Sequence, residues 1–205
     1  RTMAREMLVS LIRAAFSFNI KERFDCATGL YDVEGDQVSL ACYPPLHMGG
    51  MRDVARLLRR EYELENIRPG DMFITNDPYV GVSTHLPDAV LVAPIFLDDK
   101  IVGYAASCAH HADIGGRVPG GQAPDSRSIF EEGFRIPLVR LFSDNKLVPD
   151  VFKIFRTNVR NPDEREMDLQ AQFAANFVGM RGFLEVCERY GPDVVNNAAR
   201  AWIDY

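Results

Sequence analysis

Two apolar runs separated by a pair of aspartates constrain this chain more than any other feature. Residues 89–97 and 100–108 are rich in Val, Ile, Leu, Tyr and Ala, and Asp98-Asp99 between them has the composition of a two-residue turn. Such runs read as strands, and so short a connection makes them an antiparallel hairpin. Pairing Leu97 with Lys100 sets Asp88 opposite Ala109 and Pro87 opposite His110. The polar clusters Thr84-His85-Leu86-Pro87-Asp88 and Ala109-His110-His111-Ala112-Asp113 then meet at the open end of the hairpin.

That meeting carries the chemical signal. Opposed residues of an antiparallel pair hold their Cβ atoms about 4.5 to 5.5 Å apart, within reach of a shared ion. By strict alternation His85 and His110 point to one face, and the Leu86-Pro87 bend is needed to bring Asp88 round to them. Two imidazoles and a carboxylate suit a divalent metal, zinc or a harder ion such as manganese, with positions left open for water or substrate. Of the adjacent pair, His110 is expected to face the ion, because neighbours on a strand point to opposite faces. His111 and Asp113 are then the expected catalytic groups, as acid/base residues or as orienters beside the ion. His47, in the loop Pro44-Pro45-Leu46-His47-Met48-Gly49-Gly50, is a further histidine able to approach, and Arg135 offers a cation for a substrate anion.

Elsewhere the pattern alternates between helix and strand. Met7, Leu8, Leu11, Ile12 and Ala15 recur at helical spacing in residues 3–15, and residues 23–43 read as a hairpin turning around Asp32-Val33-Glu34-Gly35-Asp36. A second helix is expected over residues 51–64, with Val54, Leu57, Leu58 and Tyr62 on one stripe. After Pro137 the chain is expected to be helical, most clearly over 162–190, where Pro162, the acidic first turn and Gly191-Pro192 mark both ends. The stripe Met167, Leu169, Phe173, Phe177, Met180 and Leu184 is its expected buried face, and a further helix runs from Asp193. The fold class is therefore α+β: β-hairpins in a mixed sheet with flanking helices and a helical C-terminal part. Residues 1–160 are expected to form the α+β metal-site region and 161–205 a helical segment continuing into a longer chain.

Composition excludes several functions. With 47% hydrophobic and 25% charged residues the chain reads as an ordinary globular protein, and a formal net charge of -6 argues against a nucleic-acid partner. The four cysteines show no C-x-x-C spacing, so they read as reduced, mostly buried thiols. No run approaches the roughly 20 apolar residues of a membrane span, and residues 1–6 lack the features of a secretory signal, so no membrane partner and a cytoplasmic location are expected. The glycine-rich segment 114–121 lacks the Gly-Lys-Ser/Thr ending of a phosphate-binding loop, so any nucleotide is expected on another chain or domain.

Long motifs add a resemblance. Gly70-Asp71-Met72-Phe73-Ile74-Thr75-Asn76-Asp77-Pro78-Tyr79, the two histidine clusters extended through Ile114-Gly115-Gly116, and Glu131-Glu132-Gly133-Phe134-Arg135-Ile136-Pro137 strongly resemble the hydantoinase B/oxoprolinase family. The likeness takes in Asn19-Ile20-Lys21-Glu22-Arg23 and Asn158-Val159-Arg160 as well. It implies the B-type subunit of an ATP-dependent amidohydrolase that opens a cyclic amide, a small-molecule substrate. A hydantoinase A-like partner subunit would bind ATP and activate that substrate within a hetero-oligomer. It also implies the metal ligands His85, Asp88 and His110. The related alternatives are a subunit of an acetone- or acetophenone-type ketone carboxylase, or a non-catalytic subunit docking its partner through helix 162–190. Gly81-Val82-Ser83 before Thr84-His85, and Tyr43, depart from the pattern of many relatives and leave the substrate open.

Overall fold

The computed structural model describes residues 2–204. Its centre is one antiparallel sheet of β1 (Cys26–Tyr31), β2 (Gln37–Cys42), β3 (Met72–Thr75), β4 (Asp88–Leu97), β5 (Lys100–His110), β6 (Val139–Ser143) and β7 (Lys146–Leu147), in the order β2-β1-β5-β4-β3-β6-β7. The longest strands, β4 and β5, lie in the middle, where the apolar runs that form them are covered on both faces. Helices α1 (Thr2–Ala14), α2 (Phe18–Lys21), α3 (His47–Gly50), α4 (Val54–Glu61), α5 (Ile129–Glu132), α6 (Pro149–Asn158), α7 (Pro162–Tyr190) and α8 (Pro192–Ile203) surround it. The class is α+β, as the sequence pattern implies.

Alternation along the central strands assigns the two faces. Val90, Val92, Tyr104, Ala106 and Cys108 pack with Val54, Leu57 and Leu58 of α4, while Leu91, Ala93, Ile95 and Ala105 belong to the apolar clusters reached by α1 and α7. The hairpin turn forms at Asp98 and Asp99, both at positive φ (48° and 63°), the backbone that matches strand twist in a two-residue loop.

Three local expectations are corrected. Leu97 does pair with Lys100, but Val102 is an extra residue in β5: pairing slips between Ile95 and Phe96, so that Asp88 lies opposite His110 and Ala89 opposite Ala109. The segment after Pro137 begins with β6 and β7, turned by Asp144 and Asn145 at φ 51° and 58°, before α6 starts at Pro149. The long helix has the expected bounds, yet Met167 and Phe177 are 40% and 49% exposed while Arg165, Asp168, Gln172 and Asn176 are buried. The reason is hydrogen bonding to the sheet backbone. Gln172 Nε2 donates to the carbonyls of Ala89 (2.9 Å) and Ser107 (3.4 Å), and Asn176 Nδ2 to that of Leu91 (3.2 Å). Ala171, Ala175 and Gly179 on the same stripe keep the helix close, with Met7 of α1 packed where a Gly179 Cβ would stand.

Candidate metal centre

Four segments converge at the end of the sheet where β4 begins and β5 ends. Asp88 and His110 are cross-strand partners and so share one face. His85 comes from the turn before β4, which the Asp88 N–H closes on the His85 carbonyl at 3.1 Å, and its Nε2 lies 3.4 Å from Asp88 Oδ1. The His85 and His110 rings stand 4.9 Å apart. The three residues expected to hold an ion are thus neighbours, with one change in how they get there. The slip in β5 aligns Asp88 with His110, and the Leu86-Pro87 turn brings in His85.

Three further groups join the cluster: His47, Asp25 and Cys108. His47, 1% exposed on α3, donates through Nε2 to Asp25 Oδ1 at 2.9 Å, and its Nδ1 lies 3.6 Å from Cys108 Sγ and 4.0 Å from Asp88 Oδ2. A carboxylate accepts only, so Nε2 carries a proton, and Nδ1 is the ring nitrogen turned toward Asp88 and Cys108. One ligand atom each from His47, Asp88 and Cys108 falls within 4.8 Å of the others. His47 was visible in sequence only as a loop histidine. Asp25 carried no signal beyond residue type, 63 residues before Asp88, whereas Cys108, two residues before His110 on the same strand, shares its face by alternation and could have been found that way.

The electrostatics centre on Asp88. Burial works against its charge, but the approach of His85, the Thr84 hydroxyl donating at 2.6 Å and His47 outweigh it, holding the carboxyl below its usual range. Burial likewise opposes charge on His85, and Asp88, Glu132 and Asp25 overcome it, so that imidazole is raised. His110 is lowered by burial. Its Nδ1 lies 2.8 Å from Asn19 Nδ2 and its Nε2 2.9 Å from Gln122 Nε2. Asp88 Oδ1 is buried and has no hydrogen-bond partner. A buried carboxylate oxygen without a hydrogen-bond partner beside imidazole nitrogens is the environment a divalent cation completes, so the residues fit a metal. By donor type the set would suit zinc or manganese: imidazole and carboxylate suit both, and the Cys108 sulfur is a soft donor that suits zinc.

His111 and Asp113 are placed differently. His111 faces α7, fully buried, with Nε2 3.0 Å from Gln172 Oε1 and its ring edge on Phe155, and burial lowers its pKa. Asp113 accepts from the Gly115 and Arg160 N–H groups through Oδ1 (2.9 Å each) and from Gly120 N–H (2.9 Å) and Arg160 Nη1 (3.0 Å) through Oδ2. Burial disfavours its charge, and these donors reverse the balance and lower its pKa. Neither side chain touches the His85, Asp88 and His110 group. Arg135 pairs with Asp77 at 3.6 Å beside the exposed Tyr79 ring.

A family profile described as Hydantoinase B/oxoprolinase matches residues 1–205. The chain belongs to that family. It is 35% identical over 199 residues to 5-oxoprolinase of Dictyostelium discoideum, covering 95% of this chain and 15% of that protein. To caprolactamase subunit beta of Pseudomonas jessenii it is 32% identical over 195 residues, 95% of this chain and 33% of the subunit. The crystal structure of the ATP-dependent caprolactamase from that organism superposes with a TM-score of 0.86, covering 98% of this chain and 34% of the matched chain. Nucleotide-free acetone carboxylase has a TM-score of 0.87 at 21% identity over 97% of this chain and 26% of that one, a likeness of fold. The chain therefore spans about a third or less of these relatives. No described helix is long and apolar enough to cross a membrane.

Proposed function

We propose that this chain is the metal-bearing N-terminal portion of a B-type subunit in an ATP-dependent amidohydrolase, with His85, Asp88 and His110 holding a divalent zinc or manganese ion. The observation that carries the reading is the buried Asp88 carboxylate on the strand position facing His110: Oδ1 has no hydrogen-bond partner and lies 3.4 Å from His85 Nε2, and Oδ2 lies 4.0 Å from His47 Nδ1. A bound divalent ion supplies Lewis acidity toward a carbonyl or phosphorylated enol-type oxygen. The chain's own residues do the rest. Asp88 keeps its charge at neutral pH and so remains an anionic ligand. His47, oriented by Asp25 through Nε2, turns its Nδ1 toward Asp88 and Cys108. His111 and Asp113 support the walls: His111 ties the end of β5 to Gln172 on α7, and Asp113 clamps the glycine-rich segment that ends at Gln122.

The substrate class that fits is a cyclic amide, in keeping with the names of the relatives. The chain has no phosphate-binding loop of its own in residues 114–121, so ATP would be bound by a hydantoinase A-like partner in a cytoplasmic hetero-oligomer. The test is metal quantification on the full-length protein co-purified with that partner, followed by phosphate release with lactams, hydantoins and 5-oxoproline. Stoichiometric metal, lost in His85→Ala and His110→Ala together with amide-dependent turnover, supports the reading. Metal-free wild-type protein, or alanine variants with full metal and activity, would leave a docking subunit. Turnover only with a ketone and bicarbonate would make it a carboxylase subunit.

A further inference from the structure

We propose that Asn19 is the positioning residue of His110, holding the ring so that Nε2 is the nitrogen left for the ion. This rests on the metal reading above. Three ties fix the segment that carries Asn19. Asp168 of α7, fully buried, accepts from the Phe16 and Ser17 N–H groups through Oδ1 at 2.9 and 3.0 Å, holding the entry to α2. Ile20, next in sequence, is fully buried among Leu8, Leu11, Cys26, Ala109 and Ala171. The Asn19 carbonyl accepts from the Asp25 N–H at 2.9 Å, and the Asp25 carbonyl accepts from the His110 N–H at 3.0 Å, so the backbones of Asn19 and His110 are linked through one intervening residue. The carboxamide is thereby set against His110 Nδ1 at 2.8 Å before any ligand arrives.

Proton counting then fixes its role. A neutral imidazole has one N–H and one lone pair, so its two neighbours play opposite parts. Both ring nitrogens face a carboxamide nitrogen, Asn19 Nδ2 at Nδ1 and Gln122 Nε2 at Nε2, and a neutral ring accepts from only one of them, so one carboxamide must present its oxygen instead. Asn19 is the anchored one and Gln122 the exposed one, so the carboxamide turned by half a rotation is that of Asn19, its Oδ1 accepting from Nδ1–H while Gln122 donates to Nε2. The ring is held in one tautomer, and Nε2 becomes available when Gln122, exposed at the end of the glycine-rich segment, moves aside. Metal-bound imidazoles depend on such a partner, and its loss typically lowers metal affinity about 10- to 100-fold.

The experiment compares full-length wild type with Asn19→Leu and Asn19→Asp, each purified with its partner subunit, stripped of metal and titrated with zinc and manganese, with release to a chelator timed. Asn19→Leu should bind about 10- to 100-fold more weakly and release faster, while Asn19→Asp, which keeps an oxygen acceptor, recovers most of the affinity. Thermal unfolding of the stripped proteins separates this from a structural role, since the stripped Asn19→Leu protein should unfold near the wild-type temperature. Wild type that binds no metal overturns the metal reading and this inference with it. Wild type that binds while Asn19→Leu binds equally well, or a loss matched by an equal loss of stability in the stripped protein and not rescued by Asp, overturns this inference alone.

Discussion

Replacing Asp113 with asparagine tests whether this carboxylate is a structural clamp. The wild-type side chain is 7% exposed and accepts four hydrogen bonds, two at each oxygen. In Asp113→Asn one oxygen keeps its two backbone donors, and the other becomes an NH2 group facing the Gly120 N–H and the Arg160 guanidinium. Two charge-assisted bonds are lost, each of about 1.5 kcal/mol. The Arg160 side chain is 44% exposed, so solvent screening reduces its share. The expected loss is about 2 kcal/mol at pH 7, or roughly 4 to 8 °C in Tm for a domain of this size.

The pH dependence gives the clearer signature. Asp113 is lowered from its ordinary value of 3.8, so its contribution is present in full above the unfolded-state pKa and is lost as pH falls through the folded value. The stability gap between wild type and Asp113→Asn, measured by urea unfolding, should be flat from pH 7 to about 5 and narrow below about 4. Amide exchange at Gly115 and Gly120 should quicken in the variant. A gap below about 0.5 kcal/mol at pH 7, or one that stays constant down to pH 3, would refute the clamp.

Three further outcomes follow from the packing. Gln172→Leu removes a fully buried side chain that bonds to the Ala89 and Ser107 carbonyls and to His111, and should cost about 2 to 3 kcal/mol, against less than about 0.5 for Phe177→Ser on the exposed face; equal effects in urea unfolding would contradict the polar seam. Gly121 sits at φ 69° with the Glu132 carbonyl oxygen 2.6 Å from where a Cβ would stand, so Gly121→Ala should lower Tm by several degrees, and an unchanged Tm would show that the segment can shift freely. Burial raises the Cys26 thiol to about 12 and the Cys108 thiol well above its ordinary value, so neither should be alkylated in the native metal-free protein at pH 8.5, while the half-buried Cys42 should react faster; mass-mapped labelling of Cys108 without unfolding would count against its burial.

The parts of the fold legible in sequence are those governed by local chemistry. Pro162 and Gly191-Pro192 mark α7 because a proline tolerates the first turn and glycine permits the positive φ of 85° beyond the last. The β1–β2 hairpin is legible because Asp32 accepts from the N–H groups of Glu34 and Asp36 within its own turn. What escaped depends on distant partners. The buried stripe of α7 is polar because Gln172 and Asn176 meet carbonyls 83 and 85 residues away, information that helical periodicity does not contain. Asp144-Asn145 did hold a usable signal, since both residue types tolerate the left-handed backbone of a two-residue hairpin, and weighing it would have exposed β6 and β7.

The candidate site shows the same division more sharply. In a hairpin without irregularity, pairing Leu97 with Lys100 makes Asp88 and Ala109 share a face, and His110 then points away from Asp88. The single extra residue at Val102 reverses this: beyond it Asp88 and His110 face the same side, with Val90 and Cys108 next in line beneath them. The Leu86-Pro87 bend is thereby freed to deliver His85. Alternation within β5 still sends the adjacent His110 and His111 to opposite faces, one to Asn19 and Gln122, the other to Gln172. That His85, Asp88 and His110 gather could be read from spacing, because both clusters lie at the open end of the hairpin in either register. How they gather could not, because an odd residue inside an apolar run, Ile101-Val102-Gly103, looks in sequence like any other strand position.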